Sequence, residues 1–145
     1  MRQAVVEDAQ LLFEWRNDLL ARQNSENTAE VGHEEHMAWF GAALSDPDHR
    51  IYLAVADDLP VGVARALRKE NTWLLSWNIA PESRGRGFGR EMVAAMVDKL
   101  DGLVRARIRK DNLASQKIAR AASMIRRGEE GEVDIWELEK KRASL

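Results

Sequence analysis

The 145-residue chain contains no cysteine. That removes disulfides, thiolate metal sites and a cysteine nucleophile at once. It also lacks an excess of charge of either sign, with 22 lysines and arginines against 24 aspartates and glutamates. Such balance leaves no global field to draw the chain to nucleic acid or an anionic membrane. No apolar run approaches the roughly 18 residues of a membrane span, and no cationic stretch with a following apolar segment opens the chain. The reading is a soluble, cytoplasmic protein. His33 and His36, three apart, lack the further His or Cys that would complete a metal shell, so no metal is expected. No Gly-Lys pair exists, which excludes a P-loop. There are no repeats or low-complexity segments. The length suits one domain over 1–145, long enough to bury a core.

What is present centres on Arg84-Gly85-Arg86-Gly87-Phe88-Gly89. The segment lies between an apolar strand pattern (73–80) and an amphipathic helix pattern (88–100). A glycine-rich turn there brings backbone N–H groups to an anion at a helix N-terminus, whose partial positive charge helps hold it. Arg84, Arg86 and Arg90 add charge-assisted contacts suited to phosphate oxygens. The glycines at 85, 87 and 89 miss the G-x-G-x-x-G spacing of a dinucleotide fold, because Arg90 occupies the third slot.

Around this turn the periodicities predict a regular alternation of elements. A short strand (2–6) precedes a helix opened by Glu7-Asp8 with Leu12, Trp15 and Leu19 on its apolar face. A polar loop (23–30) leads to a helix with Met37, Phe40 and Leu44 inward, ended by Ser45-Asp46-Pro47. Three strands follow. Asp57-Asp58-Leu59-Pro60 turns the first into the second, whose Gly62, Ala64 and Ala66 make a small-residue face for a closely packed helix. Lys69-Glu70-Asn71 leads into the third, with Leu75, Trp77 and Ile79 on one side and Pro81 as its stop. The next helix buries Phe88, Met92, Val93, Met96, Val97 and Leu100, and a strand (103–108) comes after it. A last helix carries Ile118, Ala122 and Ile125. Gly128-Glu129-Glu130-Gly131 forms a hairpin tip, a final strand (132–138) alternates Val133, Ile135 and Glu137, and a charged tail from 139 frays. The order is β-α-α-β-β-β-α-β-α-β, a mixed, mostly antiparallel sheet with helices on both faces.

Arg84-x-x-Gly87-x-Gly89 resembles the Q/R-x-x-G-x-G/A signature of the GNAT superfamily of acetyl-CoA-dependent N-acetyltransferases. Asp111-Asn112-Leu113-Ala114-Ser115, after the 103–108 strand, resembles that superfamily's D-N-x-x-S element. Read for themselves, Asp111 or Asn112 make a helix N-cap. The resemblance implies the α/β (α+β) GNAT fold, with acetyl-CoA as cofactor. It further implies that the pantetheine arm lies between two splayed strands, on either side of the phosphate turn. The cofactor contacts it implies are Asn78, Ile79, Ala80, Arg84, Gly85, Arg86, Gly87, Phe88, Gly89, Arg90, Asn112 and Ser115, with an oxyanion donor among the backbone N–H groups of 77–79.

The strand where many members carry a glutamate has none here, which leaves Ser76, acting through a water, and His36 as candidate bases. Glu30 ranks behind both. Many relatives place a tyrosine acid where this chain has Ala119, so the side chain that would protonate the leaving thiolate is missing. Trp15-Arg16-Asn17-Asp18, Arg22, Ser25 and His33 to Phe40 resemble the W-R-N … R … S … H-x-x-W-F pattern of enzymes that acetylate nucleotide-linked amino sugars. The substrate-side residues are then Arg16, Asn17, Arg22, Arg65 and Trp77. The expected function is acetyl transfer to the primary amine of a small molecule, an amino sugar before others. A protein N-terminal acetyltransferase and a non-catalytic acyl-CoA-binding module are the alternatives. Partners include neither nucleic acid nor membrane, and a homodimer stays open.

Overall fold

The computed structural model describes residues 1–140, so the end of the expected tail, 141–145, lies outside the described residues. The strands are β1 (Arg2–Gln3), β2 (His49–Ala56), β3 (Leu59–Lys69), β4 (Thr72–Ile79), β5 (Gly102–Arg109), β6 (Ile125–Glu130) and β7 (Val133–Lys140). They form one sheet in the order β1-β2-β3-β4-β5-β7-β6. The helices are α1 (Ala9–Asn17), α2 (Leu19–Gln23), α3 (His33–Leu44), α4 (Phe88–Asp98) and α5 (Leu113–Ala121). Pairing is antiparallel except between β4 and β5, which run parallel. The expected mixed, mostly antiparallel α/β architecture is therefore the one observed.

Two tight turns set the register of the central meander. Asp57 and Asp58 (φ 51° and 64°) join β2 to β3, and Glu70 and Asn71 (φ 50° and 67°) join β3 to β4. Both residues of each pair are left-handed, the geometry whose twist matches the flanking strands. The first turn is thus shorter than expected: Leu59 and Pro60 belong to β3, and a register shift between Ala54 and Val55 accommodates the proline.

The sheet separates two apolar layers. On one face Ala64, Ala66, Trp73 and Leu75 pack against Met92, Val93, Met96 and Val97 of α4 and Ala119 of α5. The small-residue face of β3 works as expected. A Cβ added to Gly62 would stand 3.0 Å from the Asn78 carbonyl oxygen and 3.0 Å from the Met92 sulfur. On the other face Leu12, Trp15, Phe40 and Ala43 of α1 and α3 pack against Ile51 and Leu53.

Several expectations at the edges are corrected. The 2–6 strand is only Arg2–Gln3, because Val6–Asp8 coil into a 3₁₀ turn. The first helix breaks at Asp18 (ψ 137°), whose carboxylate accepts from the Ala21 N–H at 3.2 Å and starts α2. Leu19 is consequently exposed rather than inward. At the other end, α5 stops where Ser123 takes φ 69° and the Met124 N–H bonds the Ala119 carbonyl at 3.0 Å, a helix-terminating closure. Ile125 is then an exposed residue of β6, a strand the periodicity did not reveal, and the hairpin tip moves to Gly131 and Glu132. In β7 the residues turned inward include Asp134 and Trp136, out of phase with the expected Ile135 and Glu137, and Glu139 and Lys140 continue the strand.

His36 lies within the α1/α3 layer, 3 % exposed, with Nε2 3.1 Å from the Ala9 carbonyl. Burial pushes its imidazole below the ordinary value of about 6.5. The folded protein holds it neutral while the unfolded chain protonates it in acid. Its contribution to stability is present above about pH 6.5 and lost as pH falls through and below that value. The urea midpoint should drop between pH 7.5 and 5 in the wild type and drop less in His36→Gln. Parallel profiles would show that another group controls the loss.

Candidate active site

The β4–β5 ladder runs only from Thr72↔Leu103 to Leu74↔Arg105. Beyond it β4 stays paired with β3 out to Ile79↔Gly62, and β5 stays paired with β7 out to Arg109↔Val133. The two strands therefore diverge, leaving an opening between residues 75–79 and 106–109. The Ala80 N–H donates to the Val61 carbonyl at 2.8 Å. Because in-plane direction alternates along a strand, Asn78 also faces β3, whereas the N–H groups of Trp77 and Ile79 face the opening. Ile79 thus keeps the backbone donor expected of it. The N–H groups of Asn78 and Ala80 are turned to β3, and the Asn78 amide side chain donates to the Trp15 carbonyl at 3.2 Å.

The glycine turn sits at the mouth of this opening. Pro81–Ser83 coil once after β4, and the chain then passes Gly85 (φ 76°) and Gly87 (φ 84°) into α4. Gly87 is the N-cap and carries no capping side chain, so the N–H groups of Phe88, Gly89 and Arg90 are free of intrahelical partners. Gly89 has a different task. A Cβ there would lie 2.5 Å from the Ile118 Cδ1, so its absence lets α4 approach α5. The Arg86 guanidinium lies over the Phe88 ring at 5.0 Å. Arg84 departs from expectation: it forms an ion pair with Asp18 at 2.8 Å and ties the turn to the start of α2. Its side chain is engaged by protein.

Across the opening, the Asn112 side-chain oxygen accepts from the Ser115 N–H at 3.2 Å, so Asn112 is the N-cap of α5. The Ser115 hydroxyl in turn accepts from the Trp77 indole N–H at 3.2 Å. Trp77 accordingly faces α4 and α5, on the opposite side of the sheet from α1 and α3, which removes it from the substrate-side group. Arg90, Lys117, Arg120 and Ala121 line an open depression of about 460 Å³ beside the turn. Lys117 and Arg120 were not anticipated. Their spacing of three on α5, matching Arg90 on α4, was the available signal.

On the α1/α3 face, exposed Ser76 stands opposite Arg65 in the β3–β4 ladder. The Arg65 guanidinium stacks on the Trp39 ring at 4.9 Å. Asn17 is spent on structure: it donates to the Val31 carbonyl at 2.9 Å and accepts from the Val31 N–H at 2.8 Å. Arg22 is engaged by the Thr28 carbonyl and by Glu30 at 3.4 Å, which also occupies Glu30. His36, enclosed by Phe13 and Phe40 with ring centroids at 5.5 and 6.0 Å, is a packing residue. As a general base it is corrected, because its Nε2 is taken by a backbone carbonyl and its ring is cut off from solvent. Ala119 is fully buried, so no acid side chain comes from α5. Of the expected substrate-side residues, Arg16 and Arg65 remain together.

A family model described as an acetyltransferase (GNAT) domain matches residues 1–125. The chain belongs to the GNAT acetyltransferase family. No curated protein sequence matches it. Among solved structures it is similar to spermidine N-acetyltransferase from Vibrio cholerae in complex with CoA and spermine, with a TM-score of 0.83 and 14 % identity over 96 % of this chain and 94 % of that one. It is similar to the aminoglycoside acetyltransferase AAC(6')-Ib in complex with coenzyme A and kanamycin (TM-score 0.80, 15 % identity, 95 % and 92 % covered). It is also similar to RimL, a ribosomal L7/L12 α-N-protein acetyltransferase in complex with coenzyme A (TM-score 0.81, 16 % identity, 96 % and 92 % covered).

The domain is thus an acetyl-CoA-dependent acetyltransferase, and its residues fit that cofactor. The left-handed glycines leave the turn's N–H groups clear, nothing stands within 4 Å of a Cβ at Gly85 or Gly87, and the β4 edge is open alongside. Substituting Gly87 by glutamate adds a carboxylate and a strained φ at the mouth. It should weaken acetyl-CoA binding by about tenfold or more, read by calorimetry. Arg84→Ala should instead lower the unfolding midpoint, with a smaller effect on affinity. Equal affinity in wild type and Gly87→Glu would move the cofactor elsewhere.

Proposed function

We propose that the protein transfers the acetyl group of acetyl-CoA to a primary amine of a small molecule, an amino sugar before others, by direct attack in a ternary complex. The observation that carries this reading is a strap over the α1/α3 side of the opening. The 24–32 loop leaves α2, and its Glu26 pairs at 2.8 Å with Arg107 on β5, the far bank. The same loop is pinned at Val31 by Asn17. A closed-over approach of this kind suits a compact acceptor, whereas a protein substrate needs an open groove for its chain. The ligands bound beside CoA in two structural neighbours, spermine and kanamycin, are likewise small molecules rather than protein chains. The amino-sugar reading itself rests on the Trp15-Arg16-Asn17 and His33 to Phe40 resemblance.

The thioester supplies an activated acetyl carbon when it is bound along β4. The Trp77 and Ile79 N–H groups point into the opening, where they would meet charge developing on a thioester carbonyl oxygen, and one such donor is worth about 3 kcal/mol. Placement of amine and carbonyl adds several kcal/mol when both are held in contact. The glycine turn contributes to ground-state and transition-state binding alike, so it sets affinity more than rate. Ser76 is the exposed polar side chain on the α1/α3 face of β4 and passes the amine proton to water. With alanine at 119, α5 offers no phenol at that position, so protonation of a CoA thiolate would fall to solvent.

Release of free CoA should be measured with labelled acetyl-CoA and a panel of amino sugars, polyamines and α-amino peptides. Turnover of small amines over peptides is the expected result, with kcat/KM rising as the acceptor's own ammonium deprotonates. His36→Gln should leave that pH profile in place. Preference for peptides would favour protein acetylation; tight acetyl-CoA binding without turnover would leave only a binding module.

A further inference from the structure

Two arginines on the α1/α3 face have no counter-charge. Arg65 comes from the middle of β3 and Arg16 from the last turn of α1. Among the described residues, neither forms an ion pair or a hydrogen bond, in contrast to Arg2, Arg22, Arg68, Arg84, Arg105, Arg107, Arg109 and Arg126, which all meet carboxylates. Arg65 is partly buried, and its guanidinium stacks on the Trp39 ring at 4.9 Å. Enclosure and the nearby Arg16 charge both push Arg65 below the usual guanidinium range, and burial does the same to Arg16. His36 and His49 feel the same field: Arg65 lowers both, and Arg16 also lowers His36.

A desolvated cation without a partner is costly, and two near each other cost more. A fold that needed them only for structure would supply an acid, as this one does for the eight arginines just named. Their planar donor forks match an oxyanion, which takes parallel N–H···O bonds from each. They also stand on the acceptor side, with Arg65 paired in register with Ser76 and thus about 5 Å away across the ladder.

We propose that Arg65 and Arg16 together form an oxyanion seat in the acceptor site, so that the acetylated amine belongs to a molecule that also carries a phosphate or carboxylate. This rests on the amine-acceptor reading above and adds the acceptor's second group. Trp39, partly exposed and stacked on Arg65, forms a wall of the seat. The same two cations repel polycationic acceptors such as polyamines and aminoglycosides.

Matched amines test it. Glucosamine and glucosamine 6-phosphate form one pair, hexylamine and 6-aminohexanoate the other, so the two arms separate phosphate from carboxylate. In at least one pair the anionic member should have a kcat/KM about tenfold or more higher. That ratio should collapse towards one in Arg65→Met and in Arg16→Met and be partly kept in Arg65→Lys, while acetyl-CoA affinity stays near the wild-type value. A direct arm needs no turnover: calorimetry of glucosamine 6-phosphate into protein saturated with CoA should show binding that glucosamine lacks and that Arg16→Met loses. If neutral members or spermidine win, or if glucosamine 6-phosphate binds equally to wild type and both methionine variants, the seat does not exist. If every amine fails to turn over yet the anion binds through these arginines, the seat stands and acetyl transfer to small amines falls.

Discussion

Backbone N–H and C=O groups left without partners are the constraint on which this molecule is organised. Beyond Leu74, β4 turns its alternate peptide groups toward an opening where a neighbouring strand would otherwise be. Water-exposed, they cost little; enclosed, they would demand a partner. The fold keeps them available by holding β4 from one side only, through the β3 ladder that runs to Ile79↔Gly62. It holds β5 in the same way through β7. An extended arm bearing amides, such as that of the cofactor, has the chemistry to complete the interrupted ladder. The geometry of the opening is therefore as much a property of β3 and β7 as of the two strands that border it.

The remaining features arrange charge around that edge. Gly62, Ala64 and Ala66 let α4 settle close to the sheet, and Gly89 lets α5 settle close to α4. Both helix N-termini are thereby brought to the same end of the opening, one left uncapped by Gly87 and the other capped by Asn112. An uncapped terminus keeps its N–H groups for an anion, while a capped one is a stable border. Asp18 connects the two sides of the sheet. It starts α2 and, through Arg84, holds the glycine turn, so the α1/α2 segment and that turn share one carboxylate. A half-buried pair of this kind contributes more through fixed position than through net energy.

What the sequence disclosed and what it hid follow from the range of the interactions. The glycine turn was legible because left-handed φ is a local demand met by local residues. So was α4, whose Met92, Val93, Met96 and Val97 spacing has a single reading. The break at Asp18 was hidden, because Leu12, Trp15 and Leu19 keep helical spacing whether or not the helix continues. β6 was hidden because an exposed edge strand such as Ile125-Arg126-Arg127 needs no apolar alternation. The destinations of Arg84, Asn17 and His36 were hidden for another reason. Each is decided by a partner more than a dozen residues away, and a polar side chain carries no mark of whether its partner is protein or ligand. Arg65 was the informative exception, since a charge on an otherwise apolar strand face must be answered by something.

The missing carboxylate on β4 and the unpaired arginine on β3 are two aspects of one choice. Position 76 lies directly opposite Arg65, about 5 Å away across the ladder. An acid placed there would pair with Arg65 and sink below the usual carboxylate range, which would spoil it as a base for an ammonium near neutral pH. It would also satisfy the guanidinium and so close any anion seat. A strand pair of this geometry can therefore offer a carboxylate base or a free arginine, but not both. With serine at 76, the arginine has no carboxylate across the ladder, and on the proposed reading deprotonation of the amine falls to water at the exposed hydroxyl. On that proposal the rate follows how much neutral amine the solution supplies, and selectivity follows what else the acceptor brings to Arg65 and Arg16.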